Sequence, residues 1–211
     1  MSTQERPGSQ ERLSTQERLV RSTQELLWER GYVGTSPKAI LERAGVGQGS
    51  MYHHFSGKSD LALAAIRRTA EGMKETAQEC LTAPGTAYER VGAYLLRERQ
   101  VLRGCPIGRM TQDRDVVQSP ELRAPLDEMF DWLRGRLAEV LADGQRRGEL
   151  AAGLDPAATA ATVAAVVQGG YVLARAADDS APFDAAVEGV LALLAAQVVR
   201  PSPPGPRPDG P

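Results

Sequence analysis

The stretch TSPKAILERAGVGQGSMYHHFSGKSDL, from Thr35 to Leu61, decides the fold of this chain. Ser36 and Pro37 predict the start of a helix, because the serine hydroxyl can accept an unpaired backbone N–H and the proline already holds a helical φ. Gly45 predicts where that helix ends, since glycine readily takes the positive φ of a helix terminus. A second short helix is predicted from about Gln48 to Phe55, with its apolar residues facing inward. Two such helices joined by a tight turn form a helix-turn-helix, whose second helix fits the major groove of DNA.

The same stretch is similar to the signature of the TetR/AcrR family of bacterial transcriptional regulators. The residues that match at the family's spacing are Ile40, Ala44, Gly45, Val46, Gly49, Tyr52, Phe55, Lys58 and Leu61. Upstream, residues such as Arg18 and Leu26 resemble the family's first helix, so the resemblance covers the N-terminal third. Leu41 and Gly47 stand where the family usually has alanine and serine. Gln48 replaces a frequent lysine or arginine, which leaves this recognition helix less basic than in most relatives.

The resemblance implies that both helices of the motif contact DNA. It implies phosphate contacts from Thr35, Ser36, Tyr52, His53 and Lys58, and base-edge contacts from Gln48, Gly49 and Ser50. Lys38 joins these candidates because it is one of the few cations within the motif, together with Arg43 and Lys58. For Tyr52 and His54 the alternative interpretation is that they only pack against the first helix.

The composition favours an all-α fold. The 211 residues carry a net charge of −2, aromatic residues are few, and no stretch alternates like a strand. We expect a three-helix DNA-binding head on a helical bundle, with about nine helices in all. Because the chain is slightly acidic, any affinity for DNA must come from where its few local cations lie. The expected organisation is a flexible arm (residues 1–13), the helix-turn-helix domain (14–58), an effector-binding and dimerisation domain (59–200) and a disordered proline-rich tail (201–211).

The two ends of the chain are of low complexity. The first twenty-five residues repeat approximations of STQER at irregular spacing, which indicates an arm feeding into the first helix rather than a solenoid. Simple disorder is the first interpretation of this arm, and a reach of Arg6 and Arg12 toward DNA is the alternative. The tail PSPPGPRPDGP cannot pack a core.

Glycine and proline divide the remaining sequence into helices. We expect helices over residues 59–81, 86–103, 120–147, 157–177 and 183–199, with an irregular segment after 103 and a kink or delay at Pro125. The last two helices are rich in Ala, Val and Leu, more apolar than two surface helices need. The resemblance implies that this pair forms a four-helix dimer interface with its copy, and closing a monomeric core is the alternative.

Methionine and aromatic residues on the central helices indicate a pocket for an apolar or aromatic effector. The candidate effector-binding residues are Met73, Leu102, Cys105, Met110, Met129, Trp132, Leu133 and Tyr171, with Leu95 and Phe130 also on these helices. Each of them is also an ordinary core residue. The run Gly104-Cys105-Pro106-Ile107-Gly108 is similar to a GCP[LI]G element in one branch of the family, where it lies beside the effector pocket. Its glycines and proline predict a tight bend and a close approach of neighbouring atoms at Gly104.

Other functional classes lack the residues that they need. Both histidines lie inside the recognition helix, and no Cys-x-x-Cys, HExxH or GxSxG pattern is present, so we expect no enzyme, no metal and no cofactor. We also expect no stretch long and apolar enough to span a membrane and no secretory signal, hence a cytoplasmic protein. The two cysteines, Cys80 and Cys105, indicate no disulfide framework. The sequence therefore predicts a dimeric, ligand-responsive transcriptional regulator, more specifically a repressor; the alternatives are a ligand-insensitive DNA-binding protein and a thiol redox sensor using Cys105.

Overall fold

The computed structural model describes residues 13–199. Within this range the chain forms ten α-helices and one turn of 3₁₀ helix. The helices are α1 (Thr15–Arg30), α2 (Pro37–Ala44), α3 (Gln48–His54), α4 (Lys58–Thr82), α5 (Ala87–Leu96), α6 (Pro106–Met110), α7 (Arg114–Gln118), α8 (Pro120–Arg146), α9 (Pro156–Ala177) and α10 (Ala181–Ala195), and the 3₁₀ turn is Val101–Arg103. The predicted all-α fold is confirmed for this range. The tail and all but the last residue of the arm, with Arg6 and Arg12, lie outside the described residues.

The first three helices form the head, and their boundaries follow the local signals in the sequence. A capping box between Ser14 and Glu17 begins α1. The hydroxyl of Ser36 accepts a hydrogen bond from the N–H of Ala39 at the start of α2. Gly45 ends α2 in the left-handed region, at φ 62° and ψ 41°. The helix-turn-helix predicted from the sequence is confirmed to within a residue.

The remaining helices form a bundle behind the head. Helix α4 leaves the head directly after α3 and packs against α1, α5 and α8. Helix α9 packs between α8 and α10. Pro125 lies inside α8 and does not delay its start, which Ser119 caps and Pro120 opens. The long helices predicted near 59–81, 120–147 and 157–177 are therefore present.

Three predicted boundaries are wrong. Helix α5 ends at Leu96 rather than at 103, because Arg97 is extended (φ −56°, ψ 150°) and the guanidinium of Arg99 donates to the carbonyls of Tyr94 and Leu95, at 2.6 Å each. The segment expected to be irregular contains α6 and α7. Helix α10 ends at Ala195 rather than at 199, since the chain after it pairs with residues beyond α8.

That pairing is a single antiparallel bridge between Leu150 and Val198. Two backbone hydrogen bonds make it, from the N–H of Ala151 to the carbonyl of Gln197 (2.8 Å) and from the N–H of Val199 to the carbonyl of Glu149 (2.9 Å). It joins the end of α10 to the end of α8.

Helix α9 is a long and apolar element of the bundle. It has 22 residues, and a mean hydropathy of 1.5 over an 18-residue stretch makes it long and apolar enough to cross a membrane by length and composition alone. The expectation that no stretch reaches this threshold is therefore wrong. In the structure α9 buries Val163, Val167 and Ala174 in the bundle, and about a third of its apolar stretch is buried in the single chain.

Candidate nucleic-acid interface and ligand cavity

Helix α3 has one buried and one exposed side. Met51 and Phe55 are buried at 0% and 6% exposure, and they anchor the helix in the core of the head. Gln48, Gly49 and His53 are exposed on the other side. This is the arrangement that a helix entering a groove of DNA requires.

Tyr52 and His54 are also exposed. The Tyr52 side chain is 55% exposed, and the rings of His53 and His54 meet edge to face with centroids 4.9 Å apart. The alternative that Tyr52 and His54 only pack against α1 therefore loses support, and both side chains are accessible to a phosphate.

Arg18 fixes the turn between α2 and α3, a role that the sequence analysis missed. Its guanidinium donates to the carbonyls of Ala44 and Gly45, at 2.5 and 2.7 Å. These carbonyls lie at the C-terminal end of α2, where backbone acceptors lack helical partners and a positive charge is stabilised. The partner lies 26 residues away in sequence, so no local pattern could have indicated this contact.

The residues around the start of α2 divide into accessible and inaccessible groups. Thr35 is only 1% exposed, and its hydroxyl donates to the carbonyl of Gly31 at 2.7 Å. Thr35 is therefore removed from the candidate phosphate contacts, because it has neither the exposure nor the free donor. Ser36 is exposed and accepts from the N–H of Ala39, so its hydroxyl proton remains available to a phosphate. The Lys38 side chain is 87% exposed and pairs with Glu42 at 3.8 Å.

Lys58 lies at the junction of the head and the bundle. Its ammonium group is 4.0 Å from the centroid of the Tyr32 ring, and the side chain is half-buried. Burial lowers the pKa of Lys58, and the charges of Asp113 and Asp115 oppose that shift. The residue therefore stabilises the junction, and a phosphate would have to compete with these neighbours for it.

A cavity with a volume of about 650 Å³ lies between α6, α8 and α9. Two of the candidate effector residues, Cys105 and Tyr171, line it, and so does Phe130. Gln168 and Ala164 of α9 line its wall. Its volume is in the range of small-molecule sites in proteins.

The structure does not bring the other candidate effector residues to this cavity. Leu102 lines a separate cavity of about 510 Å³ beside the end of α5, together with Leu95. The core contains Met110, Met129 and Leu133, at 1%, 1% and 3% exposure. Met73 and Trp132 are half-buried and line none of the described cavities. The sequence could not separate these groups, because the same apolar residues fill cores and pockets.

The run from Gly104 to Gly108 has a physical explanation in the structure. Gly104 ends the 3₁₀ turn at φ +83°, a backbone region that favours glycine. The thiol of Cys105 accepts from the N–H of Gly108 at 3.2 Å and so caps α6, in which Pro106 is the first residue. A Cβ atom added to Gly108 would clash with the Oε1 atom of Gln168. The predicted bend is present, and the second glycine provides the space for α9.

Cys105 is poorly suited to redox sensing. Its side chain is 5% exposed, and burial raises the pKa of the thiol above its ordinary value, partly offset by the N–H of Gly108. Because the thiolate is the reactive form, this environment disfavours oxidation and alkylation. The structure gives no support to the thiol-sensor alternative.

The segment after the 3₁₀ turn joins the cavity to the head. The indole N–H of Trp28 in α1 donates to the carbonyl of Gly104 at 2.9 Å. The guanidinium of Arg109 donates to the carbonyl of Glu29 at 3.1 Å. A third bond runs from the N–H of Val33 to the carboxylate of Asp113, at 2.9 Å. Residues 104–113 thus contact the head on one side and the cavity on the other.

Within residues 13–199 no three His, Cys, Asp or Glu side chains come together as a metal site. The acidic residues that the sequence offers on polar helix faces remain apart or bind neighbouring groups: Asp113 accepts from Val33, and Asp131 pairs with Arg134.

Two family descriptions match this chain. "Bacterial regulatory proteins, tetR family" matches residues 19–65, and "Tetracyclin repressor-like, C-terminal domain" matches residues 86–190. An uncharacterised HTH-type transcriptional regulator in the lacX 3' region of Lactococcus lactis is 26% identical over 173 residues, 79% of this chain and 86% of that protein.

Solved structures share the fold. A TetR transcriptional regulator from Chloroflexus aurantiacus has a TM-score of 0.79 and 28% identity, covering 87% of this chain and 96% of the other. FadR from Bacillus subtilis, in complex with stearoyl-CoA, has a TM-score of 0.66 and 21% identity, covering 84% and 96%.

The chain belongs to the TetR family of bacterial transcriptional regulators, which are DNA-binding proteins and not enzymes. Proteins of this family act as dimers on operator DNA, and binding of small ligands is typical of them.

Proposed function

We propose that this chain is a dimeric, ligand-responsive repressor in the cytoplasm, which binds a palindromic operator through α3 and is released by a small effector with an apolar or aromatic part. The observation that carries the proposal is the division of α3 into a side anchored by Met51 and Phe55 and a side left open to solvent. A helix held in this way can enter the major groove without losing its packing on the head.

The exposed residues of α2 and α3 supply the proposed DNA contacts. We place base-edge contacts at Gln48, Gly49 and Ser50, and phosphate contacts at Ser36, Lys38, Tyr52 and His53. Lys58 is a weaker candidate, because its ammonium group already lies against Tyr32. With few cations at the interface, binding should depend only moderately on salt.

The proposed dimer interface is formed by α9 and α10. Both helices leave large apolar side chains open to solvent in the single chain: Val172 is 55% exposed, Leu173 56% and Leu193 69%. Apolar surface of this kind on two adjacent helices favours association with a second copy. Twofold symmetry would then place the two recognition helices roughly 34–36 Å apart, one turn of DNA.

The proposed switch connects the cavity to the head by two routes. Three residues separate the end of α3 from the start of α4, which crosses the bundle, so a tilt of α4 would move the head. Residues 104–113 form the second route, through the bonds to Trp28, Glu29 and Val33. Effector and operator must then weaken each other's binding by the same factor, because coupling between two sites is reciprocal.

The first experiment measures binding of the full chain to a duplex from its own upstream intergenic region, with nonspecific competitor DNA, over a series of salt concentrations. Two variants, a test and its matched control, are compared. Lys38→Ala removes an exposed cation of the proposed interface, and Arg146→Ala, the control, removes an exposed cation at the end of α8. Both side chains form an ion pair with a carboxylate one helical turn away. We expect Lys38→Ala to weaken binding and to reduce the slope of log affinity against log salt by about 1, whereas Arg146→Ala should leave both unchanged.

Equal effects of the two variants would refute the proposed interface. Competitor-resistant binding that no small molecule weakens would refute the ligand-responsive part and leave a ligand-insensitive DNA-binding protein.

A further inference from the structure

The charged side chains that line the 650 Å³ cavity between α6, α8 and α9 are all positive. Three arginines line it, Arg109, Arg134 and Arg175, and no aspartate or glutamate does so within the part of the chain that the structure describes. Arg134 pairs with Asp131 one turn earlier on α8, so its charge is compensated. Arg109 and Arg175 form no ion pair with a carboxylate among residues 13–199. The cavity therefore carries two positive charges outside any ion pair, on Arg109, which is half-buried, and on Arg175, which is exposed to solvent.

Arg109 also has an unused hydrogen-bond donor. Its Nε is buried and has no acceptor among the described residues, and the acceptor of its terminal nitrogen is the neutral carbonyl of Glu29. Burial lowers the pKa of Arg109, the charge of Arg175 lowers it further, and Asp113 opposes the shift. A buried donor without an acceptor is costly, and an anion would supply both the acceptor and the opposite charge.

The rest of the cavity wall suits an uncharged, apolar part of a ligand. Phe130, Ala161, Ala164 and Ala165 present an aromatic ring and small side chains to it. The alanines leave room beside α9, where longer side chains would fill the space. Tyr171 also lines the cavity, and its hydroxyl could orient a polar substituent of the ligand.

We infer that the cavity binds an organic anion, with a carboxylate or phosphate group between Arg109 and Arg175 and an apolar body against Phe130 and the alanines of α9. Guanidinium groups bind both kinds of anion through paired hydrogen bonds, which a neutral ligand cannot match. The inference rests on the proposed ligand-responsive function and names the class of effector for it.

Calorimetric titration of the full-length dimer tests this inference with charge-matched probes. The probes are 3-phenylpropionate and octanoate, each compared with its neutral amide, and phenyl phosphate as the alternative anion. We expect at least one carboxylate to bind about tenfold more tightly than its amide, or phenyl phosphate to bind more tightly than either, since hydrogen bonds to charged groups exceed neutral ones by roughly this factor.

The decisive variant is Arg175→Gln. Its guanidinium makes no hydrogen bond or ion pair among the described residues, so the substitution should not disturb folding. We expect the preference for the anion to fall to within about threefold, because a single charge-assisted contact accounts for most of it. Arg67→Gln, which removes an exposed arginine of α4 outside every described cavity, is the control and should keep the full preference.

Equal binding of each carboxylate and its amide to the wild-type protein, with phenyl phosphate binding no more tightly than these, would overturn the inference, and so would a preference for the anion that survives in Arg175→Gln. Absence of binding by all three anions at about 10 mM would overturn it as well. This result is expected if the second subunit of the dimer occupies the cavity. Operator binding by the same samples separates the two hypotheses: if it persists without anion binding, the regulator proposal stands and only the effector class falls.

Discussion

Gly45 and Gly49 are four residues apart and serve different purposes. Gly45 takes a left-handed conformation, with the guanidinium of Arg18 3.0 Å from where a Cβ would lie. Gly49 has an ordinary helical conformation, and a Cβ there would meet no atom of the described chain within 4 Å. The fold therefore explains Gly45, whereas no contact within the described chain explains Gly49, for which the proposed reason is the close approach of DNA to α3.

A pair of alanine substitutions separates these purposes. Gly49→Ala should leave the free energy of unfolding unchanged or raise it by up to about 1 kcal/mol, since alanine is the better helix former, yet it should weaken operator binding. Gly45→Ala should lower the free energy of unfolding by about 1–2 kcal/mol, the cost of a left-handed conformation with a Cβ. Urea unfolding followed by operator titration of each variant measures both quantities. A Gly49→Ala protein that binds operator normally would remove Gly49 from the interface.

At the level of single residues the sequence predicted local geometry better than distant partners. The glycine at 45, the cap at Ser36 and the bend at Gly104 all follow from short-range rules, and the structure has them. The contacts of Arg18 with Ala44 and of Gly108 with Gln168 bridge 26 and 60 positions of the chain. Nothing in a single sequence pairs such positions, so these roles became visible only in three dimensions.

Among the elements, the errors in the prediction have two causes. Helix α5 stops at Leu96 although no glycine or proline follows it until Gly104, because Arg99 folds back onto the last carbonyls. Helices α6 and α7 did carry local signals, proline at the first position of α6 and the Asp113 side chain at the cap of α7. Their five-residue length hid them, since hydrophobic periodicity needs two or more turns to be detected.

The link between α1 and the segment preceding α6 can be tested at Trp28. Besides its bond to Gly104, the indole ring lies 3.7 Å from the guanidinium carbon of Arg103. Trp28→Phe should lower the free energy of unfolding by about 1–2 kcal/mol, because the Gly104 carbonyl loses its donor. It should also reduce the effector-induced loss of operator affinity, while affinity without effector changes by less than about threefold.

Trp132 provides the matched control, as the second of the two tryptophans in the chain. It is half-buried on α8, and its indole makes no described hydrogen bond. Trp132→Phe should leave the response to effector intact. If both variants respond to effector as the wild type does, the route through α1 does not carry the signal.

For the whole molecule, the arrangement of subunits can be tested with two equally exposed leucines. Leu193 on α10 is 69% exposed and Leu96 at the end of α5 is 67% exposed. Leu193→Glu should shift the mass in solution toward that of the 22.6 kDa chain and abolish cooperative operator binding, because a buried charge in an apolar interface is costly. Leu96→Glu should remain dimeric.

Light scattering measures the masses, and circular dichroism shows whether helix content is retained. If both leucine variants stay dimeric at micromolar concentration, the interface lies on another surface.

The sequence predicted which helices carry exposed apolar residues, but the division of its pocket candidates between two cavities and the core depends on the packing of the whole bundle.

The bridge between Leu150 and Val198 fixes the position of the chain after α10, and with it a site at which the protein can be immobilised on a solid support. Helices α4 and α8 both lead from the head toward it, and the 27 residues of α8 span about 40 Å. A linker or fluorophore attached close to Val199 therefore lies at the end of the bundle opposite α3. Immobilised through that end, the protein would turn its reading face outward to DNA in solution, an orientation suited to a sensor chip.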